Sequence, residues 1–156
     1  VHDGRRCHCP NRGCLEAYVS GWAIAERARE AARRDPGRAG ELQRRAGAIT
    51  GIDSATVGDA ARAGDPLARE ILADTIAHLA SGIVGIVNAC NPRLVILGGG
   101  VIEGIPGVLG PLRTQVRRRA LRAATARLRI VRAELGTNAG IIGAAALARP
   151  PAGRDR

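Results

Sequence analysis

Between Asp65-Pro66 and Asn91-Pro92 the chain carries its longest helical pattern, and whatever fold it adopts must accommodate that segment. Asp followed by Pro supplies a capping side chain and then a residue whose missing N–H costs nothing in a first helical turn. Leu67, Ile71, Leu72, Ile76, Leu79, Ile83 and Val87 recur at the spacing of one helix face. The spacing predicts a helix over 66–88. Beyond Ile76 nearly every residue is apolar or small, so that end is expected to be buried on all sides. Asn91-Pro92 ends it. Leu94, Val95, Ile96 and Leu97 then form a short apolar run, the pattern of a buried strand, which stops at Gly98-Gly99-Gly100.

The flanking segments extend the same α/β alternation. Ser20 is a good cap for a helix over 21–34, which Asp35-Pro36-Gly37 ends. Shorter helical stretches are expected over 41–48 and 54–63. After the triple glycine, a loop containing Gly104, Pro106 and Gly107 leads to a helix over 108–124. Residues 128–131 form a second candidate strand, and Thr137 or Asn138 caps a last helix to Ala148. Residues 150–156 are expected to be a disordered tail. Two strands make a small sheet for helices this apolar, so further strands are expected from elsewhere.

Composition narrows the function classes. There is no Phe and no Met, one Trp and one Tyr, so the core must be packed from Ala, Val, Ile and Leu. The net charge of +10 comes from arginine alone, because the chain has no lysine. Arg113, Arg117, Arg118, Arg119 and Arg122 fall on one helical stretch. We read them as a solvated helix face, with a subunit contact or a polyanion as the alternatives. No unbroken apolar run has the length of a membrane span, and no signal peptide opens the chain, so no membrane partner is expected.

Cys7, Cys9 and Cys14 lie within eight residues of an otherwise cysteine-poor chain. Thiolates at such spacing suit tetrahedral zinc in a reducing compartment better than disulfides in a secreted protein, and a cytoplasmic location follows. A structural site wants four ligands, and His2, His8 or the distant Cys90 are the candidates in this sequence. His8 lies between two ligands, where turning onto the same ion is difficult. Glu16 follows the cluster closely, where a rigid metal loop would aim its carboxylate. Residues 1–14 are polar and loop-like, and a start inside a ligand cluster leads us to expect a chain cut from a longer one. Gly98, Gly99 and Gly100 end a strand where α/β sheets bind ligands. They form neither a P-loop nor a dinucleotide fingerprint. Gly136-Thr137-Asn138-Ala139-Gly140 puts small residues at a helix start, for close packing or for an anion.

The string from Cys7-His8-Cys9-Pro10-Asn11-Arg12-Gly13-Cys14 through Leu15-Glu16 to Ser20-Gly21 resembles the zinc signature of the ROK family of sugar kinases and repressors. Gly64-Asp65-Pro66, Asn88-Ala89-Cys90-Asn91-Pro92 with Val95 to Gly100, and Leu135-Gly136-Thr137-Asn138-Ala139-Gly140 follow in the family's order. The resemblance covers residues 1–148. It implies the C-terminal lobe of the actin-like ATPase, ribonuclease H-like architecture without its first strands. Residues 1–19 would be a zinc-binding loop, and 20–149 the helical and α/β part of the lobe.

By the same resemblance Cys7, Cys9 and Cys14 are zinc ligands, and Glu16 contacts sugar hydroxyls. Gly98, Gly99 and Gly100 lie on the nucleotide side of the cleft. The family's fourth ligand is a histidine that would precede Val1, and His2 is not its equivalent. Pro10 stands where the family has glycine, which removes an N–H from the metal loop. The parent activity implied is glucokinase-like phosphorylation of a hexose by ATP with Mg²⁺, with a homo-oligomer expected. The phosphate-binding hairpin and the catalytic aspartate would precede residue 1, so the chain alone is expected to be inactive. The alternatives are the sugar-sensing part of a ROK repressor, with nucleic acid as partner, and a non-catalytic remnant.

Overall fold

The structure is a computed structural model and describes residues 1–148; the expected tail over 150–156 lies outside them. The helices are α1 (Glu16–Val19), α2 (Gly21–Arg34), α3 (Gly40–Ala46), α4 (Ser54–Arg62) and α5 (Pro66–Cys90). After strand β1 (Leu94–Leu97) come α6 (Gly100–Gly104), α7 (Leu109–Arg119) and α8 (Arg122–Thr125). Strand β2 (Arg129–Arg132) and helix α9 (Ala139–Ala148) complete the order.

Side-chain caps set three of the helix starts. Ser20 Oγ accepts the Ala23 N–H at 3.3 Å, Asp53 Oδ1 accepts the Thr56 N–H at 2.7 Å, and Asp65 Oδ1 accepts the Ala68 N–H at 2.7 Å. Pro66 occupies the first turn of α5 as its fixed φ favours. At the other end Asn91 takes a left-handed conformation, φ 46°, which turns the chain out of α5 and into β1.

The core forms around α5, which packs against α4 on one side and α7 on the other, with α1 and α2 alongside. Ile24, Leu42, Ile52, Val57, Val87, Leu112 and Val116 are its largest fully buried side chains. All are aliphatic, as a chain without Phe or Met requires. β1 and β2 pair in parallel, from Leu94 opposite Arg129 to Leu97 opposite Arg132, and the connection runs through α6, α7 and α8. Ile130 is buried, and Val95 and Leu97 are half-buried against the same core.

Several expectations need correcting. β1 is not a buried strand: Leu94 and Ile96 are 46% and 60% exposed, because the helices cover only one face of the sheet. The second half of α5 is not buried all round either. Ile86 is 55% exposed, and Ser81, Gly85 and residues 88–90 also face solvent. The stretch expected as one helix over 108–124 is two, since Ala120 adopts extended backbone between α7 and α8. A short helix, α6, stands where a loop was expected, and α1 lies inside the segment read as loop. By length and mean hydropathy, 1.5 over its most apolar window, α5 could also cross a membrane, although Asp74, Thr75, His78, Ser81 and Asn88 interrupt its apolar residues. Its buried face is spent on α4 and α7.

The uncovered face continues into α9, which buries none of its residues. Leu94, Ile96, Val131, Leu135 and Ala139 line an open hollow of about 420 Å³ there.

Candidate functional site

The cysteine-bearing loop is folded before any ion is considered. Arg6 and Arg12 form an antiparallel bridge, the Cys7 N–H donates to Asn11 O at 3.2 Å, and the Gly13 N–H donates to Arg5 O at 2.8 Å. Gly13 makes the return with φ 71°, a conformation that a side chain would oppose. Arg5 fastens the loop to α2. Its guanidinium grips Glu30 with two hydrogen bonds of 2.7 and 2.9 Å, and its backbone N–H donates to the Tyr18 hydroxyl at 2.9 Å. Hydrogen bonding to Arg5 holds the Glu30 carboxyl below its usual value.

Within that loop the ligand atoms of Cys7, Cys9 and Cys14 all lie within 4.8 Å of one another. Cys9 Sγ and Cys14 Sγ are 3.5 Å apart. Tetrahedral zinc with Zn–S bonds of about 2.3 Å places its sulfurs about 3.8 Å apart, so the three sulfurs fit three corners of such a centre. Among the described residues no histidine joins the group. Pro10 sits inside the turn closed by Cys7 and Asn11, and its missing N–H does not stop the sulfurs from converging. The thiols differ in acidity. The Asn11 backbone N–H lowers Cys9, helped by the neighbouring thiols, whereas hydrogen bonding to Cys9, then burial, pushes Cys14 up to about 11.

Glu16 opens α1 directly after the loop. Its Oε1 accepts the Trp22 indole N–H at 3.3 Å, and its Oε2 is 3.8 Å from the Cys7 thiol that donates to it. The Trp22 ring is stacked on His8, centroids 4.0 Å apart and planes 17° from parallel. The structure thus brings Cys7, Cys9, Cys14 and Glu16 together.

Gly98, Gly99 and Gly100 lie apart from them, across a cleft of about 430 Å³ whose far wall is Val19, Ser20 and Gly21. Gly99 has φ 98°, which only glycine adopts without strain, and a Cβ on Gly98 would come within 3.2 Å of the Ala133 side chain. The Gly99 N–H points at Glu103 Oε1, 3.4 Å away.

Sequence reasoning missed His8 as a stacking partner, Trp22 and Glu103. Trp22 had one available signal, being the lone tryptophan two residues after the capping Ser20. Glu103 had none, because it lay in a segment read as loop. Chemically, the arrangement offers three soft sulfurs, an oriented carboxylate and an open glycine turn.

Known proteins share this arrangement of elements. Glucokinases from Streptomyces coelicolor and Thermotoga maritima are each 33% identical to the chain, over 97% and 93% of it and 48% and 45% of their own lengths. The Escherichia coli transcriptional regulator NagC is 31% identical over 94% of this chain and 34% of its own. Among solved structures, a Streptomyces griseus ROK family glucokinase in complex with glucose and AMPPNP superposes with a TM-score of 0.84 and 34% identity, over 96% of this chain and 48% of that one. A ROK hexokinase from Thermus thermophilus gives 0.73 and 31%, over 91% and 42%. The chain spans about half the length of the glucokinases it matches and shares the α/β fold of their actin-like ATPase class. The ROK family model matches residues 1–150, and the chain belongs to the ROK family.

Proposed function

We propose that the chain is the C-terminal lobe of an ATP-dependent hexose kinase of glucokinase type, contributing a structural zinc loop, a sugar contact and part of the nucleotide side. The observation that carries this reading is the convergence of Cys7, Cys9, Cys14 and Glu16 in one braced loop. Likeness to a glucokinase whose structure holds glucose and AMPPNP supports it. Cys7, Cys9 and Cys14 hold zinc, with a fourth donor from outside residues 1–156, and the ion stiffens the loop that aims Glu16. Residues 1–19, the loop together with α1, act as the zinc-binding segment, and the residues after them form the body that carries the glycine turn.

Glu16 accepts a hydrogen bond from a sugar hydroxyl. Gly98, Gly99 and Gly100 let a nucleotide approach the backbone across the cleft from Ser20. When bound, ATP with Mg²⁺ supplies the γ-phosphoryl group to a sugar hydroxyl. On this reading the base and the phosphate-binding hairpin come from the family's other lobe. Such transfer depends on positioning from both lobes, so the chain alone binds without turning over. The open face over Leu94, Ile96 and α9 supports this reading, since parallel strands are ordinarily covered on both faces. A cytoplasmic, homo-oligomeric parent accords with it.

Likeness to NagC favours a second reading, in which the same lobe senses sugar for a repressor. Calorimetric titration of the chain with glucose and with AMPPNP, alongside an ADP-release assay, tests the first. The expected result is glucose binding that Glu16→Gln weakens measurably with the fold intact, and no ADP release. Glucose-dependent ADP release from the chain alone would overturn the binding-lobe assignment. Sugar-released operator binding by the protein that contains this chain would establish the repressor.

A further inference from the structure

His8, Trp22 and Glu16 form a contact relay that none of the roles above uses. Trp22 lies in the first turn of α2, whose backbone Ser20 fixes by capping. Its ring is half-buried and stands outside the apolar core. One side meets His8, and an open hollow of about 350 Å³, lined also by Arg5, Arg6, Cys7, Glu26 and Glu30, lies alongside. A tryptophan so placed adds little core area. What it does contribute is an N–H aimed at Glu16 Oε1.

A free glutamate on a helix surface loses side-chain entropy when a ligand orders it. Holding Oε1 in advance removes part of that cost, and Oε2, met only by the long 3.8 Å contact from the Cys7 thiol, keeps acceptor capacity for a hydroxyl. His8, between ligand residues Cys7 and Cys9, then ties the indole to the cysteine loop through its stacked ring. Resting on the reading of Glu16 as a sugar contact, we propose that Trp22 is a positioning residue that pre-orients Glu16, and that His8 couples it to the cysteine loop.

Because the chain has a single tryptophan, its ¹⁵N-labelled form gives one indole N–H signal. Glu16→Gln and added glucose should each move that signal. Trp22→Phe keeps a ring for His8 but removes the N–H. It should weaken glucose binding roughly fivefold to tenfold while thermal midpoint and zinc content stay at wild-type values. In the Glu16→Gln background the same change should add nothing further. An indole signal that ignores Glu16→Gln overturns the proposal, as does wild-type glucose affinity in Trp22→Phe. A chain that binds no glucose, while Glu16→Gln still moves the indole signal, overturns the sugar reading of Glu16 and the positioning role with it. The indole bond then remains as a structural contact only.

Discussion

Asp65 is where the central helix begins, and removing its carboxylate tests whether that start sets the stability of the molecule. Its Oδ1 accepts the Ala68 N–H at 2.7 Å, with Asp65 8% exposed and Ala68 fully buried. Asp65→Ala deletes a cap, which costs about 0.5–2 kcal/mol in general. Water reaches the abandoned N–H poorly, and a buried unsatisfied donor costs about 1–3 kcal/mol. These ranges describe one lost bond from two sides, so we expect about 2 kcal/mol. In a chain of this size that lowers the thermal midpoint by about 4–8 °C. Ser20→Ala removes a longer, half-exposed cap bond of 3.3 Å and should cost about 0.5 kcal/mol. Asp65→Asn keeps an acceptor oxygen and should stay near wild type. Urea unfolding followed by far-UV circular dichroism measures all three. If Asp65→Ala costs no more than Ser20→Ala, or Asp65→Asn costs as much as Asp65→Ala, the buried-cap argument is wrong.

Three further outcomes are expected. Cys9→Ser removes one of three converging sulfurs, so zinc retained through gel filtration should fall from about one equivalent to near none by elemental analysis. The Glu30 carboxyl is held below its ordinary value by hydrogen bonding to Arg5, and that of Asp53 by the Thr56 N–H. Depressed carboxylates stabilise the fold above their unfolded values and lose that contribution as pH falls through the folded ones. Urea midpoints measured across pH 5 to 2 should therefore drop, and less steeply in Arg5→Ala. Ile96→Thr, on the open sheet face, should cost less than about 1 kcal/mol, whereas Leu112→Ala, fully buried, should cost about 2–5 kcal/mol in the same urea experiment.

What the sequence made legible was mostly local. Asp65-Pro66, Ser20 and Asn91-Pro92 punctuate the helices through their own side chains or fixed dihedrals, and the structure uses each of them. The cysteine spacing likewise announced a cluster that forms through short-range turns. The misreadings depended on what lies opposite. An apolar run such as Leu94–Leu97 looks identical whether one face of its sheet is covered or both, and only the arrangement of α5 and α7 decides. The break at Ala120 has no glycine or proline to mark it. Trp22 was legible as a residue but not as a neighbour of Glu16, since that contact depends on how α1 turns into α2.

The parallel pairing of β1 with β2 also sets the order in which the molecule must assemble. Its first rung joins residue 94 to residue 129, so no hairpin can seed the sheet, and the chain between must be drawn in before any rung forms. The contacts of α2, α3, α4 and the start of α5 are closer in sequence and close sooner. Folding should thus begin in the helical half and finish at the strands. The Gly98-Gly99-Gly100 turn, hanging from the end of β1, is among the last parts to acquire its shape. A nucleotide analogue that grips that turn would slow unfolding by holding shut the element that opens first.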